Sequence, residues 1–232
     1  MTTGSAMSSL VSFGKNSSQL PRQISSAWVR SWSVDRDSAG KEKIHTYEVT
    51  MKPHADWNTQ FFASDVFLLL PLQGSALLNY GQLIPVGEFH VGKMEANSVL
   101  GISNPGPDTV HLVLLKIEGL QIESAEMYSL DFEEDWVSLR WNGSDPEISS
   151  KPMLSFHLGR LTGRQEADLI LDAPSLGMVL GGAFEYCNRL MEQGDVIWLE
   201  HPMDVEMEAL STEGLILILE VANNSGQSGD FS

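Results

Sequence analysis

The sequence predicts an all-β protein made of two successive small β-barrels. The main observation is a pattern that occurs twice: an apolar stretch ends at a glycine, a short strand and an asparagine turn follow, and a second glycine precedes an acidic residue. The landmarks are Gly74, Asn79 and Gly87-Glu88 in the first copy, and Gly182, Asn188 and Gly194-Asp195 in the second. An offset of 108 residues between the two first glycines fits two equivalent domains.

Between the landmarks the residue pattern predicts strand after strand. The run at 66–72 is almost continuously apolar, which is typical of a strand buried on both faces. The other predicted strands lie at 44–51, 110–117, 154–161, 176–180, 196–199, 205–210 and 215–221. Turns are expected at 104–108 and 172–175, because proline fixes φ and glycine or asparagine accepts conformations that other residues resist.

These signals divide the chain into five segments. They are a disordered N-terminal arm (1–24), an N-terminal barrel (25–122), an acidic interdomain connector (123–151), a C-terminal barrel (152–222) and a flexible tail (223–232). The arm and the tail are rich in small polar residues, which bury too little apolar surface to offset the entropy of ordering. Trp136 and Trp141 of the connector are expected to pack against a barrel.

Composition and charge exclude several classes of function. The chain has 31 acidic and 14 basic residues, and the resulting net charge of −17 would repel nucleic acid phosphates and anionic lipid. No secretory signal is expected at the start, and no segment approaches the roughly 18 apolar residues that span a bilayer. The only cysteine, Cys187, permits no internal disulfide and suits a reducing compartment. We therefore expect a cytoplasmic protein that binds neither nucleic acid nor membranes.

Several short motifs resemble those of a known family. They lie at 156–161, 182–186, 194–195 and 209–211 in the C-terminal half, and at 72–74, 87–88, 104–106 and 110–112 in the N-terminal half. These motifs resemble the cupin domains of pirin-like proteins, a group that includes quercetinase-like bicupins. The resemblance covers most of the chain outside the tails and the connector. It implies two tandem cupin-like barrels of the double-stranded β-helix, or jelly-roll, type, and it says little about chemistry.

The metal site of metal-bearing family members does not carry over to this sequence. The resemblance implies a His-x-His pair in the N-terminal barrel with a nearby glutamate or histidine; two imidazoles at i and i+2 share one strand face. The place for the pair falls near Gln60-Phe61-Phe62, and the second ligand segment reads Val99-Leu100-Gly101-Ile102-Ser103. We therefore predict no catalytic residue and no metal cofactor. The residues predicted to line the lumen of the first barrel are Gln60, Phe62, Leu100 and Ile102.

A non-standard metal site is the alternative hypothesis. None of the six histidines forms a His-x-His pair. A composite of His54, Asp56, His90 and His111 would supply imidazole and carboxylate ligands for iron, manganese or zinc in a barrel lumen. However, His54 follows Pro53 in a predicted turn, and His111 has no visible partner, so structural roles for these histidines are preferred.

Two functions follow from these observations. The first is a non-catalytic module that binds an unknown small molecule or protein. The alternative is a quercetinase-like, metal-dependent dioxygenase that uses the non-standard histidine and carboxylate site. Cys187 lies in the predicted hairpin of the second barrel and is interpreted as a packed or turn residue, not as a reactive thiol.

Overall fold

The computed structural model describes residues 11–14, 22–24, 27–36, 42–61, 65–118, 120, 126–130, 136–141 and 154–221. Every regular element in these ranges is a β-strand, as predicted. In chain order the strands are β1 (Val11–Gly14), β2 (Arg22–Ile24), β3 (Ala27–Arg36), β4 (Glu42–Met51), β5 (Asp56–Gln60), β6 (Asp65–Gln73), β7 (Ala76–Leu78), β8 (Leu83–Ile84), β9 (Glu88–Met94), β10 (Val99–Ser103), β11 (Val110–Glu118), β12 (Glu126–Ser129), β13 (Trp136–Trp141), β14 (Leu154–Thr162), β15 (Glu166–Leu171), β16 (Ser175–Gly181), β17 (Ala183–Tyr186), β18 (Arg189–Glu192), β19 (Val196–Leu199), β20 (Met203–Ala209) and β21 (Glu213–Val221).

The strands form two compact units, one of residues 17–134 and one of residues 1–16 and 135–232. The first unit, the N-terminal barrel, has a seven-stranded sheet in the order β12-β9-β6-β11-β4-β3-β2 and a four-stranded sheet in the order β5-β10-β7-β8. Its interior is a core of buried apolar side chains contributed by both sheets, among them Phe67, Leu100 and Leu114. The interior of a cupin barrel is therefore packed here mainly with hydrocarbon.

The second unit, the C-terminal barrel, repeats this plan. Its sheets have the orders β1-β19-β16-β21-β14-β13 and β15-β20-β17-β18. Phe184, Ile197 and Ile218 belong to its buried core. Strands β4 to β11 of the first unit correspond one for one to β14 to β21 of the second, because they have the same neighbours in the same order. The predicted duplication of a β-domain is confirmed.

The landmark glycines explain why the repeat is visible in the sequence. Gly74 and Gly182 have φ angles of 71° and 74°, and Gly87 and Gly194 have φ angles of 88° and 83°. A side chain with a Cβ atom resists this left-handed region, so each copy keeps glycine at the same two turns.

The predicted N-terminal arm needs correction. Two parts of the segment predicted to be disordered, β1 and β2, are strands in the structure. β1 pairs with β19 of the C-terminal barrel, and β2 pairs with β3 of the N-terminal barrel. Composition alone did not reveal these strands, because each one joins a sheet edge whose partner is distant or unremarkable in sequence.

The predicted connector also contributes to both barrels. β12 pairs with β9 in the first unit, and β13 pairs with β14 in the second. The indole ring of Trp136 covers Gly159, where any Cβ atom would collide with the ring. The packing expected of Trp136 is therefore present, whereas the side chain of Trp141 and the predicted tail lie outside the described residues. Within the described ranges, no helix has the length and apolar character needed to cross a membrane.

Candidate functional site

The position that the family resemblance reserves for metal ligands is filled by other chemistry in the N-terminal barrel. Phe61, directly after β5, is fully buried in the core, and so are Leu100 and Ile102. The ammonium group of Lys116 lies 4.9 Å from the centroid of the Phe61 ring, and its Nζ donates to the carbonyl oxygen of Gln60 at 3.5 Å. Aromatic and aliphatic side chains offer no ligand atom, and an ammonium ion repels a metal cation. The residues at this position do not fit a metal ion.

One predicted lumen residue lies on the wrong face of its strand. Side chains along β5 alternate between exposed and buried, and Gln60 is exposed. The residue that points into the core at this end of the strand is its neighbour Phe61. A shift of one residue reverses the face, so the lumen prediction is wrong for Gln60. Leu100 and Ile102 are buried as predicted, and Phe62 lies outside the described residues.

Lys116 belongs to a buried charged group. Its Nζ lies 3.2 Å from Asp65 Oδ2 and 3.2 Å from Glu118 Oε1. Lys116 is only 3% exposed and Asp65 is fully buried. Burial raises the pKa of Asp65, and the nearby Lys116 only partly offsets this effect. His45 extends the group, because its Nε2 lies 3.1 Å from the same Oε1 of Glu118.

The four residues of the alternative metal site do not come together. His54 and Asp56 are exposed, and His54 is a turn residue with a φ of 57°. His90 is buried, with Nε2 2.9 Å from the hydroxyl of Tyr80, and burial lowers its pKa. His111 has a structural partner that the sequence did not reveal, since its Nε2 lies 2.9 Å from Glu48 Oε1. In the part of the chain that the structure describes, no three His, Cys, Asp or Glu side chains are grouped to hold a metal.

The C-terminal barrel contains a chain of polar groups on β13, β14 and β21. Ser138 Oγ lies 2.8 Å from His157 Nδ1, and His157 Nε2 lies 2.8 Å from Glu220 Oε1. Because a carboxylate only accepts, Nε2 carries the imidazole proton, and Nδ1 accepts from the hydroxyl of Ser138. The indole N–H of Trp136 donates to Ser138 Oγ at 3.1 Å. Ser138 is exposed and both His157 and Glu220 are buried, so the chain runs from the surface into the interior.

Glu220 is held as a carboxylate at the inner end of this chain. Its Oε2 accepts hydrogen bonds from the backbone N–H of Asp172 at 2.7 Å and of Ala173 at 3.1 Å. Burial acts to raise the pKa of Glu220, but the hydrogen bonds from His157 and Asp172 outweigh it, and the pKa is lowered. The group is therefore ionised at neutral pH.

The N-terminal barrel repeats part of this arrangement. His45 and Glu118 lie on β4 and β11, the counterparts of β14 and β21, and their side chains form the same Nε2 to Oε1 contact. The strand register places Ser33 opposite His45, just as it places Ser138 opposite His157. The Ser, His and Glu positions are thus duplicated with the barrels.

The residues beside these pairs differ between the barrels. Glu118 lies opposite Asp65 and Glu220 lies opposite Ser175, so Asp65 and Ser175 occupy equivalent positions. By the same register, the position of Phe67 corresponds to Gly177, and that of Lys116 corresponds to Ile218. The equivalent pairs are Asp65 with Ser175, Phe67 with Gly177, and Lys116 with Ile218. The C-terminal barrel therefore has smaller or uncharged groups where the N-terminal barrel has an ion pair and a phenyl ring.

Two hydroxyl groups in the C-terminal barrel lack partners. Ser175 and Tyr186 are both fully buried, and neither Ser175 Oγ nor the Tyr186 hydroxyl has a hydrogen-bond partner among the residues that the structure describes. Burial raises the pKa of Tyr186 far above its usual range, and the nearby Cys187 and Glu220 add to the effect. Tyr186 thus remains a neutral phenol. Buried polar groups without partners are rare and point to an occupant that the protein alone does not supply.

Cys187 is a turn residue, in agreement with the prediction. It precedes Asn188 in the hairpin between β17 and β18, and the two residues have φ angles of 51° and 56°. Burial raises the pKa of its thiol to about 11, so little thiolate forms at neutral pH.

Sequence reasoning missed Ser138, His157, Glu220 and Ser175 as neighbours. The serine and the histidine are 19 residues apart, and the histidine and the glutamate are 63 residues apart. One signal was available, because a comparison of the two copies aligns His45 with His157 and Glu118 with Glu220. A histidine and a glutamate kept at equivalent places in both copies indicate that the pair contacts.

Comparison with known proteins matches the fold. No family model and no curated protein sequence matches the chain. Among solved structures, pirin YhhW from Escherichia coli in complex with nickel(II) superposes with a TM-score of 0.68, at 12% identity, over 92% of this chain and all of its own. The chain has the pirin-like bicupin fold. The predicted fold class and the predicted resemblance are thus confirmed.

Two further structures share this bicupin architecture. Protein YlbA from Escherichia coli matches with a TM-score of 0.66 at 12% identity, covering 96% of this chain and 97% of its own. A variant of oxalate decarboxylase from Bacillus subtilis matches with a TM-score of 0.61 at 9% identity, covering 94% of this chain and 78% of its own. Identities this low establish the pirin-like fold and not the chemistry. The nickel of pirin YhhW belongs to that protein.

Proposed function

We propose that this pirin-like bicupin is a metal-independent binding module that holds a small molecule or a segment of a partner protein. The observation that supports this most is Lys116, whose ammonium group lies against Phe61 at the place where the family resemblance puts metal ligands. Leu100 and Ile102 contribute hydrocarbon to the same core.

Charge pairing strengthens this argument. The carboxylates nearest to the position, Asp65 and Glu118, each lie 3.2 Å from Lys116 Nζ. Both are therefore engaged in neutralising a cation that the chain itself supplies. A divalent ion would have to displace this ammonium group from a buried pair, which costs several kcal/mol.

We also propose a cytoplasmic location and partners other than nucleic acid or membranes. The net charge of −17 supports the second point, because phosphate groups and anionic lipid would be repelled. The single cysteine supports the first.

The metal content of the purified, untagged chain tests the proposal. We expect far less than one iron, manganese or zinc ion per chain by elemental mass spectrometry. We also expect no flavonol-dependent oxygen consumption above buffer after each metal is added. A near-stoichiometric metal, together with oxygen uptake that disappears in His54→Ala or His111→Ala, would establish the dioxygenase alternative and overturn the proposal.

A further inference from the structure

We infer that the ligand site lies inside the C-terminal barrel, and that the hydroxyl groups of Ser175 and Tyr186 bind the oxygen of a small neutral carbonyl compound with an apolar body. This inference rests on the proposed binding function and names its site and ligand class. It differs from the sequence-based expectation, which placed the lumen site in the N-terminal barrel.

The two unpartnered hydroxyls are the first support. Both residues are 0% exposed, so water outside the protein does not satisfy them. A buried hydroxyl without a partner costs about 1–3 kcal/mol, and the barrel carries two of them. Natural proteins keep such groups where a ligand or an ordered water completes the hydrogen bonds.

The strand register places the two hydroxyls at the same end of the interior. Ser175 and Gly177 are two residues apart on β16 and therefore face the same side. The Tyr186 ring lies beside Gly177, where an added Cβ atom would be 3.3 and 3.4 Å from two of its ring atoms. Glu220 lies opposite Ser175, and its charge raises the pKa of Tyr186, so the phenol and Ser175 share the surroundings of this carboxylate.

The chemistry of this end of the barrel selects the ligand. Each hydroxyl can donate one hydrogen bond, and a carbonyl oxygen accepts two. An anionic ligand would be repelled by the ionised Glu220, whose two oxygens already accept from His157, Asp172 and Ala173. The neighbouring interior side chains are apolar, and they would contact the hydrocarbon part of the ligand: Val179, Phe184, Met191, Ile197 and Ile218.

The N-terminal barrel lacks these features at the equivalent positions. Asp65 and Lys116 form an ion pair at 3.2 Å where the C-terminal barrel has Ser175 and Ile218. Phe67 stands in place of Gly177, and its ring fills space beside His90, with ring centroids 5.5 Å apart. The same part of the fold is thus closed by charge and bulk in one barrel and offers free hydroxyls in the other.

Cyclohexanone is a suitable probe because it is a neutral carbonyl compound with an apolar ring. Binding to the full chain is measured by ligand-observed NMR titration, and cyclohexanecarboxylate serves as the anionic comparison. We expect saturable binding of cyclohexanone and weaker binding of the carboxylate. Tyr186→Phe and Ser175→Ala should each weaken cyclohexanone binding about five- to tenfold, the effect of losing one hydrogen bond to a buried group. Tyr80→Phe is the matched control, since it removes a hydroxyl from the corresponding hairpin of the N-terminal barrel and should leave binding unchanged.

A second measurement separates a ligand site from a structural role. Without probe, Tyr186→Phe should keep or raise the thermal unfolding midpoint, because the removed hydroxyl has no partner to lose. A lowered midpoint with unchanged cyclohexanone binding would assign the hydroxyl to the fold and overturn the inference. Binding that is blocked by Leu100→Trp and insensitive to Tyr186→Phe would move the site to the N-terminal barrel, overturning the inference but leaving the binding function intact. Failure of cyclohexanone to bind up to its solubility would overturn the ligand class, and only metal-dependent oxygen uptake would overturn the proposed function as well.

Discussion

Replacing Lys116 with methionine should strongly destabilise the N-terminal barrel, because it leaves a buried carboxylate without its cation. Lys116 is 3% exposed and Asp65 is 0% exposed, and their charged atoms lie 3.2 Å apart. Removing one partner of such a buried pair costs about 3–5 kcal/mol. Glu118, with 27% of its side chain exposed, adds little because water screens it.

Methionine recovers part of this loss through its contact with Phe61. Its unbranched side chain is similar in length to that of lysine and packs against the ring that the ammonium group now faces. We therefore expect Lys116→Met to lower the free energy of unfolding by about 3 kcal/mol. The double variant Lys116→Met with Asp65→Leu should lie within about 1 kcal/mol of the natural chain, because neither charge then remains buried.

Urea unfolding followed by circular dichroism measures these differences at several pH values. Burial already raises the pKa of Asp65 above its ordinary value of 3.8, and loss of Lys116 raises it further. A carboxyl group with a higher pKa in the folded state binds more protons when folded, so stability falls as pH rises between its unfolded and folded pKa values. The penalty in Lys116→Met should therefore be smallest in acid and largest at neutral pH.

The reasoning would be refuted by a small and pH-independent effect. If Lys116→Met costs less than about 1 kcal/mol, the pair behaves like a solvent-screened surface ion pair. Equal losses in the single and double variants would show that the two charges are not coupled. Either result would also remove the main support for an ammonium group in place of a metal ion.

Three further predictions concern other parts of the two barrels. Glu220→Gln should lower the free energy of unfolding at neutral pH by about 2 kcal/mol. Because the pKa of Glu220 is lowered from 4.5, its stabilisation is present above that value and is lost as pH falls through the folded pKa, so urea titrations of the variant should show a weaker acid dependence, and an unchanged one would contradict this assignment. Asn104→Ala should cost about 2–3 kcal/mol in urea unfolding, because its buried amide donates to the carbonyls of Lys52 at 2.9 Å and Asp108 at 2.7 Å; a loss below that of an exposed asparagine variant would argue otherwise. Gly177→Val should cost about 1–3 kcal/mol and alter the near-ultraviolet circular dichroism, since a Cβ atom there lies 3.3 Å from the Tyr186 ring, and an unaltered spectrum would mean that the ring does not pack there.

Much of the fold was predictable from local sequence. The glycines at positions with positive φ, such as Gly74 and Gly182, recur in both copies because the same turn requires them twice. Apolar runs such as β6 announce strands that are buried on both faces. The departure from the metal-bearing pattern was also visible, because Phe61 and Leu100 cannot act as ligands whatever their surroundings.

Other predictions failed where a local pattern leaves a choice open. Gln60 and Phe61 differ by one position, and only the strand register decides which of them enters the core. The strand β1 was missed because its partner β19 lies more than 180 residues away in the chain.

The sequence by itself determined that this protein is a duplicated β-barrel with an acidic surface and without the family's histidine pair. Only the tertiary structure decided which polar groups meet inside. Ser138, His157 and Glu220 come from three strands, and the pairing of those strands brings the histidine within 2.8 Å of both the serine and the glutamate. The same holds for Lys116 and Asp65, and for the two hydroxyls that remain without partners among the described residues. Contacts between distant segments depend on sheet register, and register follows from the packing of the whole barrel.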